Sequence, residues 1–429
     1  MDVGPSKNRD NWNKFFYGSP SWKPEEFQAL LNSEPPGVAL FEVEAYINGL
    51  YRSAALVADP GMVSFKAQWI SAQAEFWRRT LDWHQRDLDL GLLRWIRRAS
   101  CLSIVAGAGV TMAAGGPSWE GLVKELLKLS LERGREITHM VPDPGNTPDV
   151  QNFHREVLEV QHFDTAAAQR AASILSTIEA GQADTEILME GAQLCYDLMG
   201  QHLFTDITDI LYANNRQPGP IHRTIARLAH PQYVPDRAGW FPGWHAIITY
   251  NFDDLLGEAL DEEGIARASF AMRGDEIAGD PNELAKAQGQ NGLYQPILHL
   301  HGYTPKRFFL ITRVGFVFST SQYEKIYTAG QSTIIDRAFS YCLANPVHHA
   351  LYVGCSFQDE AMNNLLARAA QRLPGRFHYA LLKWPGKQSY REATPEEIDD
   401  QNLAYRHLGV RPLWFDDFSE IPDLIAATS

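Results

Sequence analysis

Five short apolar runs punctuate the later part of the chain: CLSIVAG at 101–107, HAIITY at 245–250, ILHLH at 297–301, ALYVG at 350–354 and YALLK at 379–383. Each is almost uninterrupted by charge, the pattern of a strand covered on both faces. A turn or a helical pattern follows each of them, as in DDLLGEAL or DEAMNNLLARAAQRL. Strands alternating with helices predict an α/β fold built on a Rossmann-like parallel sheet.

Between about 120 and 235 the rhythm changes. AAAQRAASILSTIEAG and TEILMEGAQLCYDLMGQHL place apolar residues every three to four positions with few strand signals, which predicts a helical insertion within the α/β domain. The stretch HMVPDPGNTPDVQNF at 139–153, with three prolines and a glycine, reads as a loop able to move. Ahead of the first strand, residues from about 62 to 98 read as helical, with aromatics at mixed three- and four-residue steps. Residues 1–98 are taken as a separate, mainly helical N-terminal extension, and 99–429 as the α/β domain. There is no internal repeat.

Composition narrows the function. With 429 residues, 45% hydrophobic and 21% charged, the chain reads as globular, with room for one large domain plus an insertion or for two to three smaller ones. Lys+Arg 38 against Asp+Glu 52 gives a net charge of −14, which argues against direct nucleic-acid binding and against docking on anionic lipid. Residues 1–98 hold 12 basic and 12 acidic side chains, so the whole net charge falls in 99–429. The same segment holds six of the eleven tryptophans (Trp12, Trp22, Trp69, Trp77, Trp83, Trp95), which suit either a core or an assembly interface. No charged segment followed by an apolar stretch opens the chain, and no run approaches the roughly 18 apolar residues of a membrane span, so a cytoplasmic protein is expected. The cysteines at 101, 195, 342 and 355 form no CxxC pair, so a zinc site of two cysteine pairs is excluded by spacing.

Four clusters carry candidate chemistry. In SIVAGAGVTMAAGGPSW (103–119), Gly107 and Gly109 follow an apolar strand and open a helix, an arrangement that lets backbone N–H groups face a pyrophosphate or simply makes a tight turn. Thr111 adds a hydroxyl. Met112 stands where a dehydrogenase fingerprint needs its third glycine, which disfavours a hydride-transferring enzyme. In ITYNFDDLL (248–256), Asn251 and Asp253 lie just past a strand, with Asp253 open to a helix-capping role and Asp254 read as capping alone. In LHLHGY (298–303), His299 and His301 share a face if the strand extends that far; no third metal ligand lies nearby, and a single catalytic histidine is the preferred reading. In VGCSFQDEAMNNLL (353–366), Gly354 and Ser356 repeat the strand, glycine and hydroxyl order, Asp359 is a candidate cap, and Cys355 reads as buried packing.

Taken in order, GAGVT, GGPSW, TYNFDD, HLHG and VGCSFQD resemble the NAD site of the sirtuin family, and more closely the sirtuin-like proteins of bacterial antiphage defence. The resemblance runs from about 99 to the C-terminal LGVRPLWFDDFSEIPDLI. It implies that Gly107, Ala108, Gly109 and Thr111 form the phosphate-binding turn, with Trp119 and Phe357 completing the nucleotide pocket. It implies that Gly354 and Ser356 contact the adenosine ribose, that Asn251 and Asp253 hold the nicotinamide ribose and carboxamide, and that His301 is the catalytic histidine. Deacylating sirtuins also carry a small zinc module and an Arg after the loop proline and aromatic; here the cysteine pairs are missing and Pro117-Ser118-Trp119 stands at that loop. The expected activity is therefore NAD hydrolysis to nicotinamide and ADP-ribose, with NAD as substrate and no zinc. A protein deacylase, an ADP-ribosyltransferase and a non-catalytic nucleotide-binding sensor or scaffold are the alternatives. The layout is most similar to the defence subunit that works beside a HerA-type hexameric ATPase, which implies that partner, a homo-oligomer and an effector that depletes NAD.

Overall fold

The computed structural model describes residues 85–98, 100–140, 165–200, 202–234, 239–273, 276–277, 294–304, 306, 317–323, 348–372 and 378–429. Residues 1–84, with five of the six N-terminal tryptophans, and 141–153 of the proline-rich loop lie outside the described residues. The described chain opens with helix α1 (Gln85–Arg98), strand β1 (Leu102–Ala106) and the short helix α2 (Ala108–Ala113). Helices α3 (Trp119–Met140), α4 (Thr165–Glu179), α5 (Thr185–Met199), α6 (His202–Leu211) and α7 (Pro220–Arg227) follow. A small antiparallel ribbon, β2 (Gln232–Val234) and β3 (Gly239–Phe241), leads into β4 (Ile247–Thr249) and α8 (Leu255–Glu262). The remaining elements are β5 (Arg267–Arg273), β6 (Glu276–Ile277), β7 (Gln295–His299), β8 (His349–Val353), α9 (Glu360–Arg372), β9 (His378–Lys383), α10 (Pro395–Arg406), β10 (Val410–Phe415) and α11 (Ile421–Ala426).

The main sheet runs β10-β9-β8-β1-β4-β7-β5-β6. Its first seven strands are parallel, and β6 pairs antiparallel with β5. Alternation along each strand feeds two cores. Leu102, Ile104 and Ala106 of β1, with Leu351 and Val353 of β8, pack under α1, α7, α8 and α11. Val105, Ile248 and Tyr352 face the opposite layer, where Met362, Leu365 and Leu366 of α9 cover them. Burying each of the leucine, isoleucine, valine and methionine side chains among them stabilises the fold by about 1.5–3 kcal/mol.

All five apolar runs form strands. β5 and β10 escape a periodicity reading because RASFAMR and VRPLWF each contain arginines, and charge blurs the apolar pattern. Two of those arginines are matched from elsewhere in the chain: Arg411 is buried against Asp89 at 3.0 Å, and Arg267 reaches Asp254 at 2.6 Å.

Helix α1 packs into the body rather than apart from it. Leu90, Leu93 and Ile96 are buried in the core under the sheet, and the Arg86 guanidinium donates to the Trp414 carbonyl at 2.9 Å. A domain boundary at 98 therefore cuts through this packing, and the body takes in residues from Gln85 onward. The helical insertion is found as α3 to α6, whose apolar faces form a third core including Val123, Leu127, Ala171, Cys195 and Ile207. α7 lies outside that bundle: Ile221 and Ile225 pack under the sheet. Phe252 and Phe318, from loops beyond β4 and β7, complete the insertion's core. No helix among the described residues is long and apolar enough to cross a membrane.

Candidate functional site

Pairing across the sheet sets Val353, Ala106, Thr249 and His299 in one row, since Ala106 is opposite both Val353 and Thr249, and Thr249 is opposite His299. These are the last residues of β8, β1 and β7 and of β4, so four loops leave the same carboxyl edge side by side. The ladder continues into them: Gly107 N–H donates to Val353 O at 2.9 Å, Tyr250 N–H to Ala106 O at 3.2 Å and Leu300 N–H to Thr249 O at 2.9 Å. The chain moves from β1 toward β4 and β7 on one side and later returns to β8 on the other, so β1 marks a topological switch point, where open α/β sheets bind ligands. Clusters far apart in sequence thus share one edge.

The two glycine turns press against each other. A Cβ on Gly107 would meet Gly354 O at 2.5 Å, one on Gly109 would meet Gly354 Cα at 2.8 Å, and Gly354 has φ +67. Gly109 N–H donates to Gly354 O at 2.9 Å and Val110 N–H to Gly107 O at 3.0 Å. These glycines answer to turn-on-turn packing, and two amides that the sequence reading offered to a pyrophosphate are already bonded within the protein. Ala108 of the same turn and Ser356 of the facing turn are exposed, so both remain accessible to a ligand.

Next to them lies a bonded polar cluster. The Thr111 hydroxyl donates to Asp253 Oδ2, and Asp253 Oδ1 accepts the Leu255 N–H at 3.1 Å. The second bond is the cap expected of Asp253. Each carboxylate oxygen retains a further lone pair. Asn251 Nδ2 donates to Gly107 O at 3.0 Å, joining the β4 loop to the β1 turn, and its backbone N–H donates to Thr249 Oγ1 at 3.0 Å. Asp254 does not cap α8: its carboxylate pairs with Arg267, and burial lifts it to about 6 against the pull of that arginine. The physical reason is that a carboxylate buried in this layer needs a full charge opposite it, which a helix terminus supplies only in part.

His299 and His301 do not share a face, because β7 ends at His299 and a turn begins. His299 is fully buried and stacks on Tyr303 at 4.3 Å; burial, with the Arg267 charge nearby, pushes its imidazole down to about 3. His301 is half-buried at the edge, with the rings of Tyr250 and Tyr323 set edge-on at 5.1 Å and 6.4 Å. Burial brings its imidazole down to about 4, opposed by the charge of Asp359, so at neutral pH the ring is an unprotonated base. Asp359 Oδ1 accepts the Met362 N–H at 2.9 Å, as a cap of α9 does, and also the Tyr323 hydroxyl.

Two residues that the resemblance assigns to the nucleotide also make ring contacts within the protein. Trp119 sits edge-on to Phe318 at 5.1 Å beside the insertion core, and Phe357, at φ +57, is buried against Tyr352 and Tyr405. Cys355 packs partly buried against the core, its thiol pushed up to about 12 by burial. Sequence reasoning missed Tyr212, whose hydroxyl donates to Thr304 O at 2.7 Å and accepts the Asp254 N–H at 2.8 Å, joining the insertion to two site loops. It missed Tyr323 as well. Neither lies in a motif, and only tertiary packing brings them here. Among the described residues no group of three or more His, Cys, Asp or Glu side chains is arranged to hold a metal ion.

Residues 245–407 match the SIR2-like domain family. That stretch opens just ahead of β4 and covers Asn251, Asp253, His301, Gly354 and Ser356, and the similarity implies NAD binding. The Gly107–Ala108–Gly109 turn and Thr111 lie before it and join the same edge through β1, which is paired with both β4 and β8. No curated protein matches the chain.

Proposed function

We propose that this protein is an NAD glycohydrolase, cleaving NAD to nicotinamide and ADP-ribose. The observation that supports the reading is the shared row at the carboxyl edge, from which an amide, a buried carboxylate and a neutral histidine all leave next to two glycine turns. The bond broken joins nicotinamide to C1′ of its ribose, through a cationic state akin to that of glycoside hydrolysis. Asn251 orients ribose and water. Asp253 holds the carboxamide region and balances positive charge on the ribose. His301, unprotonated at neutral pH, takes the proton released as water adds to C1′. Water is the acceptor in this scheme, so the products are nicotinamide, ADP-ribose and one proton.

On the same reading the protein is a cytoplasmic antiphage effector that lowers cellular NAD, assembled as a homo-oligomer beside a HerA-type hexameric ATPase. Support comes from the motif order and from the tryptophan-rich segment of zero net charge preceding a body of charge −14. Incubating purified protein with NAD, alone and with the ATPase, and following free nicotinamide tests the activity. Formation of O-acetyl-ADP-ribose from an acetylated peptide would favour a deacylase, labelled protein an ADP-ribosyltransferase, and binding without cleavage a sensor. Light scattering on the full chain and on a chain starting at Gln85, which keeps α1 in its packing, tests the assembly. A monomeric full chain, or an oligomer unchanged by the truncation, removes the N-terminal segment as the assembling element.

A further inference from the structure

The segment 317–323 touches three parts of the molecule at once. Val317 N–H donates to the His301 carbonyl at 3.0 Å, and the Phe318 ring fills the insertion core beside Trp119. Ser321 N–H donates to the Gln193 side chain of α5 at 3.1 Å, and the Tyr323 hydroxyl reaches Asp359 at the start of α9. The Tyr323 ring lies between, edge-on to His301 at 6.4 Å. Capping alone explains the Met362 N–H bond of Asp359. It does not explain why a tyrosine crosses from another segment to bond the same oxygen beside the histidine. Both bonds fall on Oδ1, and no described residue bonds Oδ2.

We infer that Asp359 and Tyr323 are positioning residues for His301: the carboxylate, held in place by the Tyr323 hydroxyl whose ring stands edge-on to the imidazole, stabilises the positive charge that the imidazole gains on taking a proton. This rests on the proposed function and names two further residues of that site. In the step, the C1′–N bond breaks with its electron pair leaving on nicotinamide, an O–H bond of water breaks as oxygen bonds to C1′, an N–H bond forms on His301, and the imidazolium is balanced by the carboxylate. The electrostatic pull of Asp359 on His301, opposing the effect of burial, agrees with that geometry.

The test separates charge from capping. Asparagine caps helices about as well as aspartate, so Asp359→Asn keeps the Met362 bond and removes the charge. The expected result is a kcat about tenfold lower with KM changed less than about twofold, and an acid limb of the kcat profile moved to lower pH. Tyr323→Phe is expected to lower kcat less and to leave that limb in place. A wild-type kcat profile in Asp359→Asn would overturn the proposal and leave Asp359 as a cap. A second readout needs no turnover: with 15N-labelled histidine, the tautomer ratio of His301, identified by its loss in His301→Gln, is expected to change in Asp359→Asn. An unchanged ratio overturns the proposal even if NAD proves not to be the substrate, whereas a changed ratio without nicotinamide release overturns only the NAD reading.

Discussion

On the β1 side of the sheet edge the polar side chains are tied down before any ligand arrives. Thr111 holds Asp253, Asp253 holds the start of α8, and Asn251 holds the Gly107 carbonyl. On the β7 side His301 is framed by ring edges and by the charge of Asp359. A bonded network fixes positions and resists a change of charge; a ring set beside a carboxylate's charge gains a counter-charge as it takes up a proton. Under the proposed function, the first flank would grip the ribose and the second accept the proton.

The largest effect expected from breaking this division is on turnover. His301→Ala should lower nicotinamide release by about 10²–10⁴-fold with the fold intact, in line with general-base catalysis, and Asn251→Ala should abolish measurable release. Circular dichroism would report the fold. Full turnover in both variants would remove them from the mechanism and erase the contrast between the flanks.

Next comes Gly354, on which Gly107 and Gly109 of the facing turn both lean. A Cβ there would sit 2.7 Å from Val110 N, at a φ of +67, so Gly354→Ala should cost about 3 kcal/mol or more, read as a lower denaturation midpoint. A midpoint close to wild type would mean that the turns separate freely.

The acid response sharpens the view of the β7 side. His299 has a folded-state value near 3 against an ordinary value near 6.5, so the unfolded chain takes up a proton between these limits and the folded chain does not. Stability contributed by this group is therefore complete above about pH 6.5 and is lost as pH falls, by about 2 kcal/mol at pH 5. His299→Phe, which keeps a ring to stack on Tyr303, should remove that share of the loss between pH 7 and pH 5. Identical pH dependence in the two proteins would exclude His299 as the source. The smallest effect belongs to Thr111→Val, which removes the donor to Asp253 Oδ2 and should cost about 1 kcal/mol. Chemical denaturation would measure it, and a neutral result would show that the β1 flank is less tightly held than its bonds suggest.

Much of this edge was legible in the sequence. The apolar runs named the strands, and residues just past their ends were the natural candidates, because a parallel sheet collects its loops on one side. Asn251, Asp253 and His301 were legible on that logic. The linkage of Asp254 to Arg267 was not, since the arginine belongs to a strand whose apolar pattern it interrupts. Nor were Tyr212 and Tyr323, single aromatics carried to the edge by helices and loops whose own residues say nothing of their destination. Gly107 and Gly109 were noticed for the closeness they allow, and the neighbour that the sequence could not name is Gly354.

The two phenylalanines that complete the insertion's core have a consequence for cooperativity. A unit that owns all of its core can melt by itself, as a separate calorimetric step. Here Phe252 leaves the loop after β4 and Phe318 the segment beyond His301, so loosening the bundle pulls directly on the loops that hold the candidate catalytic groups. Heating should therefore show the bundle and the sheet lost in one transition, with binding competence disappearing in the same step rather than ahead of it.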